Sequence, residues 1–252
     1  MPTNEGFFKE DEMVYRLNGT KIKDLSNNLR NFIHAMFGVI DDEEIVYAEK
    51  LDNFIKPDFK VTYKNESRYI SMKSGRCETV HQELIKSFIL FLRDLGVSKR
   101  TQATILLWQY GDGTMDGTGK KRYEYDELHV MLKERIKEAN EELNESPEFV
   151  EKVMEHCIFY GTQENAIMAD GVYHGDCNYG NLATRKQIIR HIRKKRFKWD
   201  NISHLHIGPL RIRPHARYVD KPIANPKSRH KVEMYWTHLD NDIEYISHRY
   251  DY

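Results

Sequence analysis

The sequence predicts a mixed α/β (α+β) fold in which helices pack against a mixed β-sheet. Apolar and polar residues alternate along residues 57–63 and 68–73, which predicts two strands joined by a polar turn. An apolar stripe at helical spacing along residues 79–95 predicts a helix, and the nearly all-apolar residues 103–109 predict a buried strand. Because a helix that crosses over between two strands usually leaves them parallel, the sheet is expected to contain both strand directions.

The predicted order of elements in the first half is helix, strand, strand, strand, helix, strand. The opening helix covers residues 24–37, where five apolar residues recur at helical spacing: Leu25, Leu29, Phe32, Ile33 and Met36. Residues 45–51 are expected to form the first strand. Thr79 and Gln82 fit a capping box at the start of the second helix, so Glu83 is expected in its first turn.

The second half of the chain is predicted to be a basic α+β region. Helices are expected at residues 125–143, 147–156 and 184–199, and strands at residues 158–160, 166–173, 204–207 and 231–238. The loop at residues 144–147 carries the best, though weak, boundary signal. We therefore expect one domain over residues 1–145 and a second over residues 146–252, with a single continuous domain as the alternative.

The charge of this chain is balanced overall but unevenly distributed. The 252 residues have a net charge of zero, yet residues 181–231 contain 15 Lys and Arg against two Asp and Glu. A concentration of positive charge at one surface favours a polyanionic partner such as a nucleic acid. The alternative is a basic helix face that is simply solvated.

Cysteine usage and hydropathy indicate a cytoplasmic protein. The three cysteines, Cys77, Cys157 and Cys177, are odd in number and far apart, which argues against a disulfide framework or a four-cysteine zinc site. The sequence contains no run of about 18 apolar residues, so no membrane span is expected. The N-terminal residues do not have the pattern of a secretory signal. We therefore expect no membrane partner.

The two strands around the polar turn bring charged residues of opposite sign together. Placing the turn between Asn65 and Glu66 pairs Asp58 with Lys73, and Ser71 then shares their face. Directly opposed residues have Cβ atoms roughly 5 Å apart. A carboxylate and an ammonium at that distance can bind a divalent metal and neutralise the charge of a phosphate. The alternative is an ordinary cross-strand ion pair at the surface.

These residues resemble a known nuclease motif. Pro57-Asp58, followed after a hairpin by Ser71-Met72-Lys73, resembles the PD-(D/E)xK motif in a variant that has Ser in place of the first acid of the second half. The resemblance covers roughly residues 24–109, and their element order is similar to the restriction-endonuclease-like core, αβββαβ. It implies a magnesium-dependent endonuclease that acts on double-stranded DNA, similar to type II restriction endonucleases, with Mn²⁺ able to substitute for Mg²⁺. Cleavage of both strands at a symmetric site would favour a homodimer.

The resemblance also implies a role for each residue of the motif. Asp58 would bind one or two magnesium ions, Lys73 would orient or help deprotonate the attacking water, and Ser71 would contact a phosphate oxygen or a water of the metal. Because Ser71 replaces an acid, another carboxylate must help to hold the cation. Glu83 in the following helix is the first candidate and Glu49 on the first strand is the second. Glu83 could instead be an acid favoured by the helix dipole.

Two basic segments are expected to contact DNA. Phosphate contacts are expected from the helix at residues 184–199, through Arg185, Lys186, Arg190, Arg193 and Lys194. Base contacts are expected from the extended residues 211–217, through Arg211, Arg213 and Arg217, since Arg can bond guanine with two donors. Pro214 is expected to keep this segment off a central strand. A basic surface loop is the alternative.

Three rival functions remain open on the sequence alone. A degenerate nuclease fold that binds nucleic acid without cutting it is compatible with Ser71 in the motif. A histidine-dependent nuclease or phosphoesterase of the second half would use His174, His204, His206 or His230. A structural or protein-interaction role would predict no salt-dependent binding to DNA.

Overall fold

The computed structural model describes residues 5–51, 55–74, 79–119, 121–162, 167–197, 204–215 and 226–249. The chain divides into two compact units that interleave in sequence. The first unit comprises Met1–Glu78, Glu155–His191 and His238–Tyr252, and the second comprises Thr79–Met154 and Ile192–Thr237. The expected domains, residues 1–145 and 146–252, stay a prediction, and the compact units follow different boundaries.

The helices, in chain order, are α1 (Glu5–Leu17), α2 (Asn27–Phe37), α3 (Ile85–Asp94), α4 (Lys99–Tyr110), α5 (Tyr125–Leu143), α6 (Pro147–Met154), α7 (Arg185–Lys194) and α8 (Leu239–Arg249). The strands are β1 (Thr20–Lys21), β2 (Ile45–Lys50), β3 (Phe59–Tyr63), β4 (Glu66–Lys73), β5 (Thr79–Leu84), β6 (Gly171–Gly175), β7 (Gly180–Thr184), β8 (Leu205–Ile207), β9 (Leu210–Pro214) and β10 (Lys231–Trp236). Where the structure describes the chain, no helix is both long and apolar enough to span a bilayer.

The first unit contains a mixed sheet in the order β1-β2-β3-β4-β6-β7. Neighbouring strands are antiparallel except for β4 and β6, which are parallel. The predicted fold class, a mixed sheet flanked by helices, is confirmed. The parallel strand is β6, however, and not residues 103–109, so the crossover is much longer than the sequence indicated.

Apolar side chains on one face of this sheet pack against α1 and α2. Phe59, Ile70 and Met72 of the sheet are buried in one cluster with Met13 of α1 and Phe32 of α2. Alternation along β4 therefore sends Ser71 and Lys73 to the opposite face, and Asp58 lies just before β3 begins. The core thus fixes the direction in which the predicted site residues project.

The predicted helix at residues 79–95 is only partly correct. Its first six residues form β5, and helix α3 begins at Ile85. Backbone pairing with β10, which lies far along the chain, makes the strand the better solution for these residues. The capping box predicted from Thr79 and Gln82 is therefore wrong, and Glu83 lies on a strand of the second unit.

Residues 103–109 form part of helix α4 and not the predicted strand. Ser98 begins the helix, because its Oγ accepts a hydrogen bond from the Thr101 amide at 3.2 Å. Thr101, Thr104 and Trp108 are buried at helical spacing along one side. A short apolar run does not by itself distinguish a buried strand from a helix, which explains the error.

Residues 158–160 were also predicted as a strand and are helical. They lie in a π-helical turn, Glu155–Tyr160, that continues α6. The predicted helix at residues 184–199 is confirmed in its first part as α7. Its cap is reciprocal: Thr184 Oγ1 accepts from the Gln187 amide at 3.3 Å, and Gln187 Oε1 accepts from the Thr184 amide at 2.8 Å.

The second unit contains an antiparallel sheet in the order β5-β10-β9-β8. The expectation that Pro214 keeps its segment off a central strand is wrong, because β9 lies between β10 and β8. Pro214 is the last residue of β9, and β8 pairs with β9 only as far as Ile212. The His215 amide donates to the Lys231 carbonyl on the β10 side, so the nitrogen of Pro214 faces the side that β8 leaves uncovered.

Asn140 of α5 and Asn144, which directly follows the helix, cover the edge of this sheet at β8. The Asn140 amide donates to the His204 carbonyl at 2.9 Å, and its oxygen accepts from the His206 amide at 2.8 Å. Asn144 repeats this arrangement with the His206 carbonyl and the Gly208 amide. These side chains replace a neighbouring strand and satisfy an edge that would otherwise be open to pairing with another chain.

We expect the Asn140→Ala substitution to destabilise the protein by about 2–4 kcal/mol, because a buried amide and a carbonyl of β8 lose their partner. Urea unfolding followed by circular dichroism measures the change. Glu141→Ala is the matched control, since Glu141 is exposed on the same helix. An Asn140→Ala variant as stable as this control would show that the edge does not depend on the amide.

Candidate active site

The hairpin formed by β3 and β4 has a register two residues away from the predicted one. Lys60 lies opposite Tyr69, and Tyr63 lies opposite Glu66, so the turn consists of Lys64 and Asn65. Lys64 adopts a positive φ of 52°, as tight turns require. By this register Asp58 faces Ser71 and not Lys73. Because the shift is an even number of residues, the predicted face is retained.

The side chains of Asp58, Ser71 and Lys73 nevertheless meet. Asp58 Oδ2 accepts a hydrogen bond from the Met72 amide at 2.5 Å and from Ser71 Oγ at 3.3 Å. Lys73 Nζ lies 3.6 Å from the same oxygen and donates to the Met72 carbonyl at 2.9 Å. The side chains of Asp58 and Lys73 are 23% and 22% exposed. The carboxylate and the ammonium are thus held by the backbone in a partly enclosed position.

Glu10 of α1 is a second carboxylate at this site, and the sequence analysis missed it. Its side chain is 15% exposed and lies 3.5 Å from Lys50 Nζ. Burial raises the pKa of Glu10 above its usual value, and the negative charge of Asp58 raises it further, whereas Lys50 and Lys73 act in the opposite direction. The two carboxylates therefore repel each other in the folded protein.

The sequence contained a signal that points to Glu10. Glu10, Met13 and Leu17 are spaced three and four residues apart, so they lie on one stripe of α1. Met13 and Leu17 are fully buried in the core cluster. An acid on the inward stripe of an amphipathic helix is unusual for a residue without a specific role, and this pattern identifies it as a candidate ligand.

The two glutamates that the sequence suggested lie elsewhere. Glu49 on β2 is directly opposite Lys60 and forms an ion pair with it, with 59% of its side chain exposed. Glu83 lies on β5 of the second unit, where it is buried and hydrogen-bonded to His81 Nε2 at 3.1 Å. Their participation in a metal site with Asp58 stays a prediction.

A row of polar residues crosses the sheet beside Asp58. Lys73 on β4 is opposite His174 on β6, and His174 is opposite Asn181 on β7. Opposed residues project from the same face of a sheet, so this row shares the face of Asp58 and Ser71. The adjoining turn is held by Asp176, whose Oδ1 accepts from the amides of the second and third residues after it, at 2.9 and 3.1 Å. The structure therefore brings His174 to a site some 100 residues away in sequence.

The histidine-dependent alternative draws on residues in both compact units. His174 lies in the first unit, whereas His204, His206 and His230 lie in the second. Burial lowers the pKa of His206 to about 3, with smaller contributions from His204 and Arg211. A histidine with that pKa is too weak a base for proton transfer near neutral pH. The geometry gives this alternative no specific support.

The predicted phosphate contacts on α7 fall into two groups. Arg185 forms an ion pair with Glu155 and lies over the Tyr160 ring at 5.8 Å, and Arg193 donates to Glu151 at 2.8 Å. Lys186, Arg190 and Lys194 are exposed. Arg217, predicted to contact bases, lies outside the described residues. Arg193 is exposed as well, so four of these five basic side chains on α7 reach the surface, where phosphate contacts are made.

No protein-family model matches the sequence, and no curated protein is significantly similar to it. Among solved structures, the chain is similar to restriction endonuclease MspI, crystallised in complex with its cognate DNA. The two chains are 12% identical, the match covers 93% of each, and the TM-score is 0.45. Because a likeness of this size carries no functional argument, we base the proposal below on the side chains of this chain.

Proposed function

We propose that the protein is a PD-(D/E)xK-type endonuclease that hydrolyses phosphodiester bonds of double-stranded DNA with a divalent cation held by Asp58 and Glu10. The observation that carries the proposal is the pair of partly buried carboxylates beside Lys73. Burial and the charge of Asp58 raise the pKa of Glu10. Ionising both carboxylates therefore costs free energy in the metal-free folded protein. Clusters of this kind are typical of functional sites.

The residues of this site fit a hard divalent cation. Carboxylate oxygens are the ligands that Mg²⁺ and Mn²⁺ prefer, and the hydroxyl of Ser71 adds a neutral oxygen next to Asp58. The pKa of Glu10 stays raised, first by burial and then by the charge of Asp58, although Lys50 and Lys73 act to lower it. When bound, the cation would neutralise charge on the phosphate that is cleaved. We propose Mg²⁺ as the natural ion, with Mn²⁺ as a substitute.

Lys73 supplies the positive charge of the protein itself. Its ammonium is held by the Met72 carbonyl at 2.9 Å and faces Asp58, so its position is fixed before substrate binds. In hydrolysis, the oxygen of a water attacks phosphorus, the bond to one ester oxygen breaks, and that oxygen takes a proton. Lys73 orients the attacking water and stabilises the charge that develops on the phosphate oxygens. Ser71 contacts one of those oxygens.

Two finer features complete the proposal. Discrete recognition of a DNA site, as in restriction enzymes, would use the basic residues Lys186, Arg190 and Lys194 for phosphate contacts, together with arginines of the second unit. A homodimer in the cytoplasm would cut both strands of a symmetric site. Both features rest on the sequence motif and on charge.

Digestion of a defined plasmid with and without Mg²⁺, followed by sequencing of the fragment ends, tests the proposed activity. The proposal predicts cleavage only with the metal, and discrete ends if recognition is site-specific. Random ends would favour a general nuclease. Binding of duplex DNA without cleavage under any metal condition would favour the rival reading, a nucleic-acid-binding protein on a degenerate nuclease fold.

The Glu10→Gln substitution is expected to separate metal binding from stability. An acid whose pKa is raised on folding destabilises the protein when ionised, so metal-free protein should gain stability as the pH falls towards that pKa. Glu10→Gln should remove this pH dependence, which sets in as the pH falls through the raised pKa of Glu10 towards the usual value of a glutamate. The same variant should need at least about tenfold more Mg²⁺ for half-maximal cleavage, because one ligand has lost its charge.

Urea unfolding at several pH values and a Mg²⁺ titration of the cleavage rate measure the two effects. Glu12→Gln is the matched control, since Glu12 lies on the same helix and forms an i,i+4 ion pair with Arg16 near the surface. Equal Mg²⁺ requirements for Glu10→Gln and the parent protein would remove Glu10 from the site.

A further inference from the structure

One face of the sheet in the second unit carries a cluster of arginines around a tyrosine. Tyr235 of β10 lies opposite Arg211 of β9, and Glu233 lies opposite Arg213. Alternation places these four residues on one face, whereas Ile212, like Val232 and Met234 of β10, faces the apolar interior. Arg211, Arg213 and Tyr235 are half-buried, and 25% of the Arg213 side chain is exposed.

Tyr235 holds both guanidinium groups against its ring. The guanidinium carbon of Arg211 is 5.0 Å from the ring centroid, and that of Arg213 is 4.4 Å away. Cation–π contacts at these distances restrict the orientation of a side chain that is otherwise flexible. The two arginines are therefore presented in a defined arrangement before any partner binds.

Glu233 fixes Arg213 more strongly still. Arg213 Nε and Nη2 donate to Glu233 Oε2 at 2.9 and 2.6 Å, and His215 Nδ1 lies 2.7 Å from Oε1. Burial alone would raise the pKa of Glu233, but the hydrogen bonds from His215 and Arg213 hold it below its usual value. Gln82 completes the network with a hydrogen bond to Oε1 at 3.2 Å. The carboxylate stays ionised and anchors one edge of the guanidinium group.

An anchored arginine is better suited to reading a base than to binding a phosphate. Phosphate contacts need positive charge in roughly the right place, whereas a base contact needs donors at fixed angles. Guanine presents two acceptors, O6 and N7, in the major groove, and a planar guanidinium group matches them with two parallel hydrogen bonds. Glu233 engages Nε and one hydrogen of Nη2, so Nη1 and the second hydrogen of Nη2 are the donors of Arg213 that would contact guanine.

The positive charge of this face also favours DNA as its partner. Arg211, Arg213 and Lys231 outnumber the single carboxylate of Glu233, which the arginine and histidine already engage. A positively charged sheet surface is complementary to duplex DNA, and strands of this kind are known to enter its grooves. We propose that this face reads guanine bases in duplex DNA, with Arg211 and Arg213 as the reading residues and Glu233 as the positioning residue of Arg213.

This inference rests on the proposed function, because it takes duplex DNA as the substrate. The test uses the full-length protein in EDTA, so that no cleavage occurs. Duplexes with a randomised central segment are selected by binding, and the enriched sequences are determined for the parent protein. We expect guanine to be enriched at defined positions. A duplex of the selected sequence is then made with 7-deazaguanine, which lacks the N7 acceptor, at each of these positions.

Binding of these duplexes is measured by fluorescence anisotropy. Loss of N7 should weaken binding of the parent protein by about tenfold at the position that Arg213 reads. Arg213→Lys keeps the charge but removes the two-donor edge, so 7-deazaguanine should weaken its binding no further. Arg211→Lys should behave in the same way at a different position. If one of these two variants fails to fold, the other still tests the inference.

Glu233→Gln separates positioning from charge. Removing a negative charge near DNA should leave the total affinity unchanged or higher, while the preference for guanine should fall by about tenfold because Arg213 loses its anchor. Lys99→Ala, in the same unit, is the control and should keep the preference of the parent. Circular dichroism of each variant checks its fold.

The possible outcomes distinguish this inference from the proposed function. The selection could instead enrich no base, and Arg213→Lys could lower the affinity for every duplex by a similar small factor. That result would mean that these arginines contact only phosphates; it would overturn this inference but not the proposed function. Absence of any binding to duplex DNA at low salt would overturn both. If the true partner of this face is an acidic protein surface, duplex DNA should likewise fail to bind.

Discussion

Replacing Lys73 with alanine is expected to lower the rate of DNA cleavage by about a hundredfold to a thousandfold, the usual effect of removing one fixed group that stabilises transition-state charge. Lys73 Nζ is held 2.9 Å from the Met72 carbonyl and 3.6 Å from Asp58, so no reorganisation is needed when charge develops on the phosphate. Affinity for uncleaved duplex should change little, because one partly buried cation adds little to phosphate binding in the ground state.

Single-turnover cleavage of a labelled duplex measures this effect without interference from product release. Lys64→Ala is the matched control, since Lys64 lies in the turn of the same hairpin and its ammonium lies 5.3 Å from the centroid of the Tyr63 ring. A Lys73→Ala variant that cleaves as fast as this control would mean that Lys73 forms a structural ion pair. Lower affinity with an unchanged rate of the bound complex would mean a binding role.

The Asp58→Asn substitution is expected to abolish cleavage, with a loss of about a thousandfold or more, because an essential charged ligand of the cation is removed. The asparagine side chain can still accept the hydrogen bond from the Met72 amide, so the hairpin should stay folded. Loss of the charge also removes the repulsion between Asp58 and Glu10, so the raised pKa of Glu10 should fall towards its usual value. Because the substitution also removes the carboxylate paired with Lys73, the stability of metal-free Asp58→Asn serves as the baseline for the effect of Mg²⁺.

Cleavage assays and thermal unfolding, with and without Mg²⁺, measure both effects. We expect Mg²⁺ to stabilise the parent protein but not Asp58→Asn, since only a ligand that binds the folded state raises stability. Asp42→Asn is the control, because Asp42 is exposed in the same unit. Full activity of Asp58→Asn would exclude a metal site built on this residue.

The sequence predicted the face of the hairpin correctly and its register incorrectly. Alternation of apolar and polar residues determines which side chains share a face, and a shift by two residues leaves that outcome unchanged. The exact turn was ambiguous, because Lys64-Asn65 and Asn65-Glu66 are both polar pairs. Asp58 and Lys73 could thus be recognised as neighbours although Asp58 is opposite Ser71.

The larger errors come from contacts between residues that are distant in sequence. Residues Thr79–Leu84 have a helical pattern of apolar residues, but pairing with β10 draws them into a sheet. Residues 103–109 were assigned to a strand from composition, and the cap at Ser98 that makes them helical was not recognised. Local patterns are weak where tertiary pairing supplies most of the stability.

The missing acid of the candidate site illustrates the same limit. Ser71 indicates that a further carboxylate is needed, but the sequence motif does not indicate where in the chain that carboxylate lies. Glu10 lies 48 residues before Asp58, in a helix that the sequence analysis did not assign. Its inward position depends on the packing of Met13 and Leu17 against the sheet. Only the folded structure brings the two carboxylates together.

The initial rate of duplex cleavage as a function of Mg²⁺ concentration is the measurement that tests the metal-dependent site most directly. For the parent protein we predict no cleavage in EDTA and a saturable rise with Mg²⁺, and for Asp58→Asn and Lys73→Ala almost no cleavage at any concentration. Cleavage that continues at the parent rate in EDTA, or that survives in both variants, would contradict the assignment of Asp58, Glu10 and Lys73 as the site of hydrolysis.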